Sequence, residues 1–97
     1  MLHTINKSPY SHQCLAECLR VCGADDAILL IEDGVYAALA GSDWIQRLLE
    51  KTSAIYVLQP DAAARGLADR IATAVKAVDY AGFVQLCCEH PNMLAWY

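Results

Sequence analysis

The stretch Ala27-Ile28-Leu29-Leu30-Ile31-Glu32 decides the fold. It is a continuous apolar run with no alternation of apolar and polar side chains. A strand with one wet face would alternate with period two. A short run without alternation reads as a strand covered on both faces, as in a parallel sheet between helices. Asp25–Asp26 leads into the run, and Asp33–Gly34 turns the chain after it. Further along, Ala54–Gln59 reads A-I-Y-V-L-Q and is rich in β-formers. Met1–Ile5, Val75–Val78 and Met93–Trp96 are shorter strand candidates.

Helical patterns fill the gaps between these strands. Ser11 is placed to cap a helix running to about Cys22, with Gly23 as its left-handed terminator. Val35–Ala40 is a short helix candidate. Ser42 is placed to cap Asp43–Lys51, where Trp44, Ile45, Leu48 and Leu49 recur at helical spacing. Ala62–Leu67 and Ala68–Ala74 read as two helical turns. Asp79 caps a last helix, Tyr80–His90, which Pro91 stops. The β-α-β-α-β-α-β-α-β order predicts one α/β domain over residues 1–97. It should have three layers, α/β/α, around a mostly parallel sheet of about five strands. Right-handed crossovers should leave helices on both faces. Functional groups are then expected after the strands, at Asn6–Tyr10, Glu32–Tyr36, Gln59–Asp61 and Asp79–Tyr80.

Composition narrows the function. The chain has 97 residues, 57% of them hydrophobic, more than a core of this size needs. The surplus is expected to be buried against another chain. Seven Lys and Arg face eleven Asp and Glu, for a net charge of −4. No basic cluster is present to neutralise phosphates, so direct nucleic-acid binding is not expected. No apolar run approaches the ~20 residues that span a bilayer. Met1–Tyr10 does not read as a signal peptide. A cytoplasmic location, with reduced thiols, is expected. Five cysteines, an odd number, do not suit a closed disulfide framework.

The thiols and imidazoles carry no strong motif. Cys14, Cys18 and Cys22 recur every four residues and share one helix face. That is not the usual zinc spacing, and no metal or other cofactor is expected. Cys14 and Cys22 read as fillers of helix–sheet gaps. Cys18 has Arg20 and Lys7 as possible cationic neighbours, the setting that favours thiolate, but Glu17 opposes them. Cys87 and Cys88 point about 100° apart on a helix, so at most one faces the core fully. His3, inside a strand, reads as a hydrogen-bonded core or interface residue. There is no G-x-G-x-x-G and no Walker pattern. The tail Met93-Leu94-Ala95-Trp96-Tyr97 is apolar to its end. It is expected to dock in its own sheet or across a subunit boundary.

Four segments together carry a resemblance. They are Met1-Leu2-His3-Thr4-Ile5-Asn6-Lys7-Ser8-Pro9; Leu29-Leu30-Ile31-Glu32-Asp33-Gly34-Val35-Tyr36-Ala37-Ala38; Tyr56-Val57-Leu58-Gln59-Pro60-Asp61 with Ala64-Arg65-Gly66; and Val78-Asp79-Tyr80 with Phe83-Val84, leading to Ala95-Trp96. In this order and spacing the chain resembles the TusB/DsrH family, the smallest of three DsrE-like subunits of sulfur-relay complexes. The resemblance implies a hexamer with TusC-like and TusD-like subunits. Such a complex passes persulfide sulfur from TusA to TusE for 2-thiolation of wobble uridine in tRNA. The alternative it implies is the DsrH subunit of a DsrEFH complex in dissimilatory sulfur oxidation. In both branches the main sulfur-bearing cysteine belongs to a sister subunit, which makes this chain chiefly architectural. Cys18 matches an L-x-x-C-L segment of DsrH proteins, which implies a secondary persulfide carrier. Its thiolate would attack a donor persulfide and leave Cys–S–SH on this chain.

Overall fold

A computed structural model describes all of residues 1–97. Five strands form one sheet: β1 (Leu2–Ile5), β2 (Ala27–Leu30), β3 (Ala54–Leu58), β4 (Lys76–Val78) and β5 (Met93–Trp96). Four α-helices connect them: α1 (Cys14–Val21), α2 (Asp43–Lys51), α3 (Gln59–Ala64) and α4 (Tyr80–Glu89). The strand order is β4-β3-β2-β1-β5, and every pairing is parallel. The sheet is thus wholly rather than mostly parallel. The run that decides the fold, β2, lies at the centre and is buried along its whole length.

The strand order also fixes which helices lie on which face. From β1 to β4 the chain steps across the sheet in one direction, so right-handed crossovers put α1, α2 and α3 on the same side. From β4 it returns across the whole sheet to β5, beyond β1. That reversed step puts α4 alone on the opposite side. The core divides accordingly. The larger cluster joins Leu15, Cys18 and Leu19 of α1 and Ile45 and Leu48 of α2 to Ile5, Ile28, Leu30, Ile55 and Val57 of the sheet. The smaller cluster joins Leu86 of α4 to Leu2, Ala27 and Leu29. One helix is about 10 Å across. A five-stranded sheet spans roughly 19 Å between its outer strands. Helix α4 therefore covers its face only in part.

Local details depart from the sequence reading in several places. Helix α1 begins at Cys14 with Gln13 at its N-cap, and Ser11 binds His12 Nδ1 at 2.8 Å instead of capping. It ends through an extended Cys22, and Gly23 is not left-handed. The segment after β2 is a 3-10 helix over Glu32–Ala38, which takes in the expected Asp33–Gly34 turn. Close packing explains its tightness: a Cβ on Gly34 would lie 2.2 Å from the Ile5 carbonyl oxygen. The second Ala-rich turn shortens to a 3-10 turn at Ala68–Arg70. In contrast, α2 spans Asp43–Lys51 as its spacing predicts, although the Ser42 hydroxyl donates to the Ala37 carbonyl at 3.5 Å instead of capping it, and the Asp79 side chain accepts the Gly82 N–H at 2.8 Å as the cap of α4.

Candidate functional site

Cys18, singled out from the sequence, lies on the face of α1 that packs against the sheet. It has no solvent exposure and belongs to the larger core cluster. Burial pushes its thiol up to about 12, and the neighbouring Cys22 and Asp26 act in the same direction. Arg20 and Lys7 do not offset this. The local chemistry favours the thiol, the opposite of an activated nucleophile. Cys22 is also buried and its thiol is raised by desolvation. Its Sγ donates to the Gly23 carbonyl at 3.6 Å. Cys14 and Cys87 are half-buried, and Cys88 is exposed.

The carboxyl ends of the strands, where functional groups were expected, bind mainly to one another. Glu32 takes a positive φ of 48° at the end of β2, and its N–H donates to Asp61 Oδ2 at 2.7 Å. Arg65 Nε donates to Asp33 Oδ1 at 2.9 Å, and its guanidinium also reaches the Asp61 carbonyl at 3.1 Å. These bonds tie the 3-10 segment to α3. Asn6 Oδ1, at the end of β1, is buried without a hydrogen-bond partner.

A denser polar constellation occupies the opposite end of the sheet. His3 of β1 is 1% exposed. Its Nε2 lies 3.0 Å from Asp26 Oδ2, and its Nδ1 accepts the Trp96 indole N–H at 3.1 Å. An indole nitrogen only donates. Nδ1 must therefore be the bare nitrogen, and Nε2 carries the proton donated to Asp26. Asp26 Oδ2 also accepts the Gly23 N–H at 3.0 Å, while Oδ1 receives the Met1 amine at 3.1 Å. The Gly23 N–H and then His3 hold the Asp26 carboxyl well below its usual range. Thr52 Oγ1 donates to the Asp26 carbonyl at 2.6 Å, joining α2 to the same knot.

His3, Cys22 and Asp26 bring ligand-type atoms within 4.8 Å of one another. Coordination through Nε2 would need that nitrogen bare and Nδ1 protonated, as in metal-bound histidines that donate the other N–H outward. The Trp96 indole occupies Nδ1 as a donor, which forces the reverse arrangement. The cluster is organised as a hydrogen-bond relay. Sequence reasoning placed His3 correctly as a bonded core residue but missed its partners. The one available signal was a histidine inside an otherwise apolar strand.

Several large apolar side chains of α4 and β5 are exposed. Tyr80 and Val84 of α4, Met93 and Leu94 of β5, and Tyr97 are exposed, Val84 to 62% and Tyr97 to 84%. The tail docks in its own sheet, β5 pairing with β1 from Leu2↔Met93 to Ile5↔Trp96. Its outer edge is unpaired. No helix is long and apolar enough to cross a membrane.

Comparison with known proteins places this architecture. Residues 7–93 match the family model described as DsrH like protein. Protein TusB of Pectobacterium parmentieri is 51% identical over 96 residues, covering 99% of this chain and all of that protein. Protein TusB of Klebsiella pneumoniae (strain 342) is 46% identical over the same span. The crystal structure of ychN from E. coli superposes with a TM-score of 0.77 at 16% identity, covering 98% of this chain and 97% of that one. The solution structure of Tm0979 from Thermotoga maritima gives 0.65 at 26% identity, covering 95% and 97%. By the family-model match over residues 7–93 and the identity to TusB proteins over nearly the whole chain, the chain belongs to the TusB/DsrH family.

Proposed function

We propose that this chain is the TusB-type subunit of a cytoplasmic sulfur-relay complex, built with TusC-like and TusD-like subunits. The complex takes persulfide sulfur from TusA and passes it to TusE for 2-thiolation of wobble uridine in tRNA. Relatives named TusB, at up to 51% identity, favour this branch over the DsrH subunit of a DsrEFH complex. The observation that carries an architectural role is the uneven cover of the sheet. One face has three helices, the other has α4 alone, and Tyr80 and Val84 of α4 and Met93 of β5 are exposed. Apolar area of this kind, around an unpaired edge strand, suits burial against another subunit.

In this reading Cys18 packs α1 against the sheet and stays outside the transfer path. Its complete burial and the thiol near 12 support that role. Sulfur would pass on a sister subunit, by attack of its thiolate on the donor's terminal sulfur with release of the donor thiolate. The test is co-purification of the tagged full chain from its own cells. Two DsrE-like subunits in equal amounts are expected. Recovery of the chain alone, at native expression and low salt, would overturn the reading.

A further inference from the structure

We propose that His3 is a proton-operated latch that holds the C-terminal strand β5 to the sheet through Trp96 and releases the indole when the imidazole takes up a proton. The inference rests on donor and acceptor inventory and concerns the chain free of the partners proposed above, which would cover the same edge. Neutral His3 has one donor and one acceptor, and both are used: Nε2–H donates to Asp26 and bare Nδ1 accepts from Trp96. Both ring nitrogens of a protonated imidazole donate. Nδ1–H would then face the indole N–H at the 3.1 Å that now separates the two nitrogens. Two donors cannot share that space, so the indole must turn away. The pair with Asp26 survives protonation and strengthens as a charge-assisted bond. Proton uptake therefore breaks one side of the relay selectively.

The surroundings leave the histidine as the group that switches. Asp26, on the loop before β2, stays ionised because its carboxyl is held low. The Met1 amine is already bonded to Asp26, and Cys22, at the end of α1, is kept neutral by burial. Lys51, at the end of α2, acts on Cys22. Glu17 and Arg20 of α1 line the shallow cleft that Trp96 borders, with opposite charges.

The consequence falls on an edge. Strand β5 has one hydrogen-bonded neighbour, β1, and its outer edge is open. Met93 and Leu94 are exposed, so few side chains anchor it. Trp96 is the half-buried exception, packing against the larger core cluster. Turning the indole outward loosens the segment that carries the exposed tail.

The test uses the full chain with Trp44→Phe, so that Trp96 is the single tryptophan, followed by NMR from pH 8 to pH 5. The Trp96 indole N–H resonance should move in one titration step. Intrinsic-rate-corrected exchange of the β5 amides should rise about five- to tenfold, the factor for one lost hydrogen bond. His3→Gln should abolish the step. Should His3→Gln fail to fold, Trp96→Phe gives the same reading: β5 protection already low at pH 8 and independent of pH. Asp26→Asn should move the step to lower pH, because the carboxylate favours the charged ring; a merely structural Asp26 would not move it. Replacing His12 and His90 by Gln should leave the step in place. An indole resonance and β5 protection that stay constant from pH 8 to pH 5 would overturn the latch, as would loss of the step on removing His12 and His90.

Discussion

Replacing Gly34 with Ala isolates one close approach in this fold, and the sign of its effect is the test. Gly34 lies in the 3-10 segment after β2, with a φ outside the left-handed region. At such a position an added methyl normally stabilises by about 0.4–1 kcal/mol, because it restricts the unfolded chain. Here the new Cβ would stand 2.2 Å from the Ile5 carbonyl oxygen and 3.0 Å from its carbon, where ordinary contact begins near 3.4 Å. The obstacle is backbone, so no side chain can rotate aside. That carbonyl also accepts the Ile31 N–H at 2.9 Å, a bond that ties the segment to β1. Overpacking costs roughly 1–3 kcal/mol. Disturbing the hydrogen bond adds about 1 kcal/mol. Set against the gain from the restricted unfolded chain, the net expectation is a destabilisation of about 1–3.5 kcal/mol, a large part of the ~5–15 kcal/mol that holds a small domain. Urea unfolding followed by circular dichroism measures it. With a slope of ~1–2 kcal/mol per molar, the midpoint should fall by at least about 0.5 M. An unchanged or raised midpoint would refute the close approach between the 3-10 segment and β1.

Two further outcomes follow from the thiol and carboxyl environments. At pH 8 iodoacetamide should label Cys88 in the folded protein and spare Cys18 until urea unfolds it, as mass spectrometry of the digested chain would show; equal labelling of both would contradict the burial of Cys18. Cys18→Ser, which places a hydroxyl in the core without a partner, should destabilise by about 1–3 kcal/mol, whereas Cys18→Ala should cost less. Asp26 has a folded-state pKa below its ordinary value of 3.8, so its contribution to stability is present above that pH and is lost as pH falls through the depressed value. The stability gap between the native chain and Asp26→Asn should therefore shrink as pH falls below about pH 4. A gap that grew as pH fell below about 4 would mean that the carboxyl is not held by the Gly23 N–H and His3.

Much of the architecture follows from local pattern. The unbroken apolar run at Ala27–Ile31 marks a strand buried on both faces, because only a two-sided cover removes the need for alternation. The spacing of Ile45 and Leu48 marks the buried stripe of α2, and Asp79 marks the start of α4, since both effects operate within a few residues. The cap at Ser11 and the terminator at Gly23 fail for a related reason. Several residues near a helix end can satisfy its free groups, and packing against the sheet decides among them.

What the sequence determined by itself was the set of strands and helices and the family they belong to, because periodicity, capping chemistry and motif order are written in neighbouring residues. What the tertiary structure alone decided was the distribution of cover and the company each polar group keeps. The return of the chain from β4 to β5 across the whole sheet leaves α4 alone on its face, and strand order is not encoded in any local run. The Trp96 indole meets His3 across 93 positions of sequence. Cys18, close in sequence to Arg20 and Lys7, is buried in the fold because α1 turns it toward the sheet, and that burial holds it as the thiol.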